Sequence, residues 1–107
     1  MLILLDEQLP RQLARHLVGH DVRTVKQQFW DGLKNGVPLR KAEAAGFAAL
    51  VAGDQSLAYQ QNLAARKLGI VVLRGPSNAL KELLPLVANA LIAIDRIQHG
   101  QVIRVSA

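Results

Sequence analysis

The stretch Phe47–Asp54, FAALVAGD, decides the fold. Six apolar residues are followed by a glycine and an aspartate, a pattern typical of a strand that is buried on both faces and ends abruptly. Ile70–Leu73, IVVL, has the same continuous apolar character and is closed by Arg74-Gly75. Because strands buried on both faces belong to parallel sheets, these two runs predict a parallel sheet in the middle of the protein.

Three further strands are predicted around this pair. They are Met1–Leu5, Val22–Val25 and Val102–Val105. Helical patterns alternate with the strands, which implies right-handed crossovers. We therefore expect an α/β fold: a three-layer α/β/α arrangement with a mainly parallel five-stranded sheet, helices on both faces, and a single domain over residues 1–107.

The predicted helices are bounded by proline and glycine. One begins near Pro10 and ends at Gly19, one begins at Pro38 and ends at Gly46, one spans Leu57–Leu68, and the last has its apolar face from Leu80 to Ile97. Ser77 or Asn78 is expected to cap the last helix. Pro85 should kink that helix or divide it into two.

The composition favours a small intracellular domain. The chain has 107 residues and no cysteine, and its 13 Lys and Arg against 8 Asp and Glu give a formal charge of +5. Without cysteine there is no disulfide framework, thiolate zinc site or cysteine nucleophile, which fits a cytoplasmic protein. Met1–Leu5 is followed at once by two acids, so we expect neither a signal peptide nor a membrane span.

Acidic residues follow two of the predicted strands. Asp6 and Glu7 come after the first strand, and Asp54 ends the decisive run. In doubly wound sheets, ligands bind outside the carboxyl ends of strands, where the strand order reverses. At that position Asp6 and Asp54 would bind Mg²⁺ or Mn²⁺, with Glu7 as a third ligand. The two aspartates would then be the catalytic residues of phosphodiester hydrolysis. The alternative is structural: the aspartates start a loop and cap a helix, and Glu7 is solvated.

Basic and polar residues accompany these acids. Arg74, Asn35, Arg11 and Lys34 are the predicted substrate-binding residues, and RNA is the expected substrate. Arg74 is the strongest of them because it falls at the carboxyl end of a strand, where an anionic substrate would lie. Its alternative role is an ion pair with one of the aspartates.

The aromatic residues and histidines give no motif. Trp30 and Tyr59 are candidates for stacking on a base or contacting a partner. For Trp30 we expect packing against the core instead. The three histidines lack the spacing of a metal site.

Four segments together carry a resemblance to a known family. They are LILLDEQLPRQLARHL from residue 2, GHDVRTV from 19, GLKNGVPLRKAEAAGFAALVAGDQSLAYQQNL from 32, and IVVLRGPSNAL from 70. These segments resemble the PIN-like family of small nucleases, often described as toxin components of toxin–antitoxin pairs. The resemblance covers nearly the whole chain and implies a PIN-like α/β/α fold, a divalent metal, RNA cleavage and a small antitoxin partner.

Carried over residue by residue, the resemblance is incomplete. Asp6 matches the acid after the family's first strand, and Asp54 matches the acid after the later strand. Val37 stands where many relatives have an acidic residue, and Ser56 replaces the second acid of an Asp-x-Asp pattern. Two fewer acids imply weaker metal binding unless other oxygen donors compensate.

Three functions stay open. The first is a metal-dependent ribonuclease acting as a toxin, and the second is a catalytically inactive PIN-like module that binds RNA or a protein partner. The third is a receiver-like signalling domain, since receivers also carry acids after the first and third strands. Receivers need a lysine ending the last strand, which Val102–Ala107 lacks, and a hydroxyl where Arg74-Gly75 stands. A homodimer is a further expectation.

Overall fold

The computed structural model describes residues 1–30, 39–53 and 67–106, and the structural statements below refer to these residues. They contain one five-stranded sheet in the order β2-β1-β3-β4-β5. Its strands are β1 (Leu2–Leu5), β2 (Asp21–Thr24), β3 (Ala49–Gly53), β4 (Gly69–Arg74) and β5 (Val102–Ser106). Each neighbouring pair is parallel. The predicted α/β fold with a parallel five-stranded sheet is confirmed.

Alternation along the strands gives each face of the sheet its own apolar cluster. Ile3, Val51 and Val71 belong to the first cluster, which the first 3₁₀ helix (Arg11–His16) and the C-terminal helices cover. Leu50 and Ile70 belong to the second cluster, which includes residues of helix α1 (Leu39–Ala44). Helices therefore lie on both faces, as the sequence predicts.

The first predicted helix is wrong in type, because Arg11–His16 is a 3₁₀ helix. Leu13 donates its amide hydrogen to the carbonyl of Pro10 at 3.0 Å, and Leu17 donates to Ala14 at 3.3 Å. No side chain caps its N terminus. A segment this short draws its stability from packing rather than from its own hydrogen bonds, and its 3₁₀ turns bury Leu13 and Leu17 in the first apolar cluster.

Pro85 divides the last helical segment, as predicted. Helix α2 (Leu80–Leu83) is followed by a 3₁₀ turn (Leu84–Leu86) and by helix α3 (Val87–Arg96). The predicted cap is wrong: Ala79 occupies the N-cap position of α2, with no side-chain hydrogen bond. Ser77 Oγ accepts a hydrogen bond from the Ala79 amide instead, at 3.2 Å.

Strand β3 begins two residues later than the apolar run predicts. Gly46 has φ +92° and Phe47 donates its amide hydrogen to Ala42 at 3.1 Å, which closes α1 before the strand begins. The predicted helix Leu57–Leu68 lies mostly outside the described residues. Within residues 1–30, 39–53 and 67–106, no helix is long and apolar enough to cross a membrane.

Candidate active site at the carboxyl edge of the sheet

The strand order reverses at β1. The chain passes from β1 to β2 on one side and then returns to β3 on the other side of β1. In doubly wound sheets the crevice at such a reversal is the usual ligand site. Asp6 directly follows β1 at this place, and Asp54 follows Gly53 in the sequence but lies outside the described residues.

Asp6 is held by its backbone on both sides. Its amide donates a hydrogen bond to the Val51 carbonyl at 2.9 Å, which continues the ladder between β1 and β3. Its carbonyl accepts one from the Leu9 amide at 3.1 Å, and Leu9 is itself buried. Asp6 is 5% exposed and is the one buried polar or charged residue in the described part of the chain. Burying a carboxylate costs free energy unless it is hydrogen-bonded or paired.

A cleft of about 1180 Å³ lies beside Asp6, and we call it the β2 cleft. It is bounded by the first 3₁₀ helix on one side and by β2 and the turn after β2 on the other. Its lining residues are Asp6, Glu7, Leu9, Arg11, Gln12, Ala14, Arg15, Val22, Thr24, Val25, Lys26, Gln27 and Phe29. The cleft therefore joins an apolar floor to a charged rim.

Three of the lining residues are basic, namely Arg11, Arg15 and Lys26, and all three are exposed. Arg11 thus lies where a substrate in the cleft would meet it. Glu7 is exposed and borders the same cleft, next to Asp6. Asp6, Glu7 and Arg11 all line the β2 cleft, and their chemical roles stay predictions.

The other predicted site residues are not all in this group. Arg74 is the last residue of β4 and is exposed at the carboxyl edge, but it does not line the β2 cleft. Asn35 and Lys34, predicted to bind substrate, lie outside the described residues, as do Val37 and Ser56.

Sequence reasoning missed the turn after β2, which contributes Lys26, Gln27 and Phe29 to the cleft. The available signal was Thr24-x-x-Gln27, the spacing of a capping box, which marks the start of a helical turn. Trp30, one residue further on, follows its prediction and packs against the second apolar cluster. Its ring meets that of Phe47 edge to face at 6.0 Å between centroids.

The described residues do not by themselves form a metal site. Within residues 1–30, 39–53 and 67–106, no group of three or more His, Cys, Asp or Glu could hold a metal ion. Asp6 and Glu7 are carboxylates of the kind that Mg²⁺ and Mn²⁺ prefer. A complete site at this edge would need Asp54 or non-acidic oxygen donors in addition.

Comparison with protein families, curated proteins and solved structures gives no match for this chain. Membership of the PIN-like family therefore stays a prediction from the sequence. Function has to be inferred from the carboxyl edge and the β2 cleft.

Proposed function

We propose that this protein hydrolyses single-stranded RNA with Mg²⁺ or Mn²⁺ at a site centred on Asp6. The observation that carries the proposal is a buried carboxylate at the reversal of the strand order, next to a cleft lined by basic residues. Asp6 is 5% exposed, follows β1 at the reversal of strand order, and borders a cleft with a basic rim.

The basic rim supports a polyanionic substrate. Arg11 and Arg15 lie on the 3₁₀ helix and Lys26 on the opposite wall, so both walls of the cleft carry positive charge. Cations arranged in this way hold successive phosphates by charge and leave the bases free for other contacts. The formal charge of +5 acts in the same direction at longer range.

Asp6, together with Asp54 and Glu7, would hold the cation. When bound, the cation would offset the negative charge of the phosphate and supply an activated water. The hydrogen bonds from Asp6 to Val51 and from Leu9 to Asp6 fix the backbone at this position, so little reordering is needed when substrate arrives. Hydrolysis then adds water across one phosphorus–oxygen ester bond.

The test is cleavage of a single-stranded RNA by purified protein with Mn²⁺ and with a chelator. We expect Asp6→Asn to lower the rate by about 100-fold or more, because it removes a charge that the cation needs. Asp95→Asn is the matched control, since Asp95 is an exposed carboxylate on α3, 3.7 Å from His20 Nε2 and outside the cleft. Thermal unfolding of both variants shows whether a lost rate reflects lost fold.

Cleavage that persists equally in Asp6→Asn would contradict the proposal and indicate a contaminating nuclease. Salt-sensitive RNA binding without cleavage would instead support the catalytically inactive module. A toxin role with a small antitoxin partner rests on the sequence resemblance and stays a prediction.

The strand order favours one second candidate. The order β2-β1-β3-β4-β5 is also that of flavodoxin-like proteins, including signalling receivers. Against it, β4 ends in Arg74 where receivers have a hydroxyl, and β5 contains no lysine. Mass spectrometry after incubation with a small phosphodonor and Mg²⁺ tests this candidate, and an unchanged mass would remove it.

A further inference from the structure

The turn after β2 is fixed at both ends by recognised hydrogen-bond motifs. At its start, the Gln27 amide donates to Thr24 Oγ1 at 3.1 Å and the Thr24 amide donates to Gln27 Oε1 at 2.8 Å, a capping box. At its end, the Trp30 amide donates to the Val25 carbonyl at 3.1 Å and the Phe29 amide to the Lys26 carbonyl at 3.0 Å. The second pair is a Schellman motif, which places Phe29 at the left-handed position.

Phe29 is an unusual residue for that position. Its φ is +59°, and the other described residues with positive φ are all glycines: Gly19, Gly46 and Gly100. Gly46 closes α1 with the same motif, because the Phe47 amide donates to Ala42 and the Gly46 amide to Glu43. A left-handed conformation costs a residue with a Cβ about 1–2 kcal/mol. The fold therefore carries a strain at Phe29 that glycine would remove.

Burial does not compensate for this strain. Phe29 is 91% exposed, whereas its neighbour Trp30 is partly buried against the second apolar cluster. A fully exposed phenylalanine in a strained conformation stabilises nothing that the structure describes. Strained residues of this kind concentrate at functional sites, where the conformation aims a side chain.

The surroundings of Phe29 identify what it would contact. Phe29 lines the β2 cleft together with Arg11, Arg15 and Lys26. An aromatic ring in a cleft whose walls carry cations is the arrangement that binds single-stranded nucleic acid, in which bases stack on rings and phosphates lie against cations. A protein partner that bound through apolar contacts would need a larger apolar patch on this chain than one ring on a charged rim.

We propose that Phe29 is a base-stacking residue that positions single-stranded RNA in the β2 cleft. This inference rests on the proposed function and adds to it a specific contact with the substrate. The capping box and the Schellman motif fix the backbone that carries the ring, so stacking requires little ordering of the main chain.

The test measures binding of a fluorescent single-stranded RNA with Ca²⁺ in place of Mg²⁺ or Mn²⁺, to limit cleavage. We expect Phe29→Gly to weaken binding by about 5- to 100-fold, as loss of one stacked base predicts, while Phe29→Tyr keeps most of the affinity. Val18→Ala is the matched control, because Val18 is a 67% exposed apolar residue outside the cleft.

Three further measurements distinguish stacking from charge and from misfolding. The dependence of affinity on salt should keep its slope in Phe29→Gly and become shallower in Lys26→Ala, since only lysine neutralises a phosphate. An RNA of the same length lacking its bases should bind wild type and Phe29→Gly equally. Thermal unfolding should show Phe29→Gly at least as stable as wild type, because the strain is relieved.

Three outcomes overturn the inference in distinguishable ways. Wild-type RNA binding that is unaffected by Phe29→Gly would overturn the stacking role and leave the proposed function standing. A change from dimer to monomer in that variant, with RNA affinity unchanged, would assign the ring to a protein contact instead. Absence of RNA binding by the wild-type protein would overturn the proposed function together with the inference.

Discussion

The middle of the sheet and its β2 side differ in how deeply their side chains are buried. All five residues of β3 are buried, and so are the first five of β4. Strand β2 alternates exposed and half-buried residues, and in the described part of the chain it pairs with β1 and contacts the first 3₁₀ helix. The middle strands form the buried core of the fold. The β2 side keeps polar, basic and aromatic groups at the surface, where a ligand can reach them.

This contrast is most direct at Phe29 and Trp30. The two aromatic residues are neighbours in sequence, but Trp30 packs against the core and Phe29 projects into solvent at the cleft rim. Hydrophobicity is similar for both, so it does not explain the difference. The two residues differ in backbone conformation, because the left-handed residue Phe29 ends the helical turn and Trp30 follows it.

The largest expected effect is the difference between two valine-to-alanine substitutions, one in the middle of the sheet and one in β2. Val71→Ala in β4 should lower the free energy of unfolding by about 2–3 kcal/mol, because Val71 is fully buried and leaves a cavity. Val22→Ala in β2 should cost about 1 kcal/mol or less, since Val22 is only partly buried. Urea unfolding of both variants measures the difference. Equal losses would show that the β2 side contributes to stability as the middle does.

An intermediate effect is expected from the two Schellman motifs. Gly46→Ala should destabilise the protein by about 1 kcal/mol, because alanine is strained at φ +92° although its Cβ would make only an ordinary contact with Leu2 Cδ2 at 4.0 Å. Phe29→Gly should have the opposite sign and a similar size. Thermal unfolding under identical conditions compares them. Destabilisation by Phe29→Gly would mean that the exposed ring supports the fold.

The smallest effect concerns the surface charges of β2. Asp21→Asn removes an ion pair in which Arg23 Nη2 lies 3.4 Å from Asp21 Oδ2, with both side chains more than half exposed. We expect a loss of no more than about 0.5 kcal/mol, because solvent and salt screen such pairs. Urea unfolding at low and high salt checks this, and a loss above about 1 kcal/mol would contradict it.

Much of the fold could be predicted because its strands have only one suitable environment. The apolar runs around Leu50 and Val71 must be buried on both faces, which requires a parallel sheet covered by helices. Pro85 divides its helix for the equally local reason that it lacks an amide hydrogen. The type of the first helix and the cap of α2 were not predictable. In each case several short-range hydrogen-bond patterns compete, and tertiary packing decides which of them forms.

The candidate site also contains residues that could be placed from the sequence and residues that could not. Asp6 could be placed from sequence because it follows a strand whose end is fixed by the sheet. Phe29 could not, because its exposure depends on a left-handed conformation that phenylalanine does not favour. Arg74 reaches the predicted edge but not the cleft, since β3 stands between β4 and β1 in the sheet.

The sequence by itself determined a parallel α/β sheet with Asp6 at its carboxyl edge, because apolar runs and their abrupt polar ends leave the chain few alternatives. Only the tertiary structure decided that the strand order reverses at β1, that a basic cleft opens beside β2, and that Phe29 stands exposed at its rim. These features arise from contacts between segments distant along the chain and from a backbone conformation stabilised by hydrogen bonds, and neither is encoded in local hydrophobic pattern.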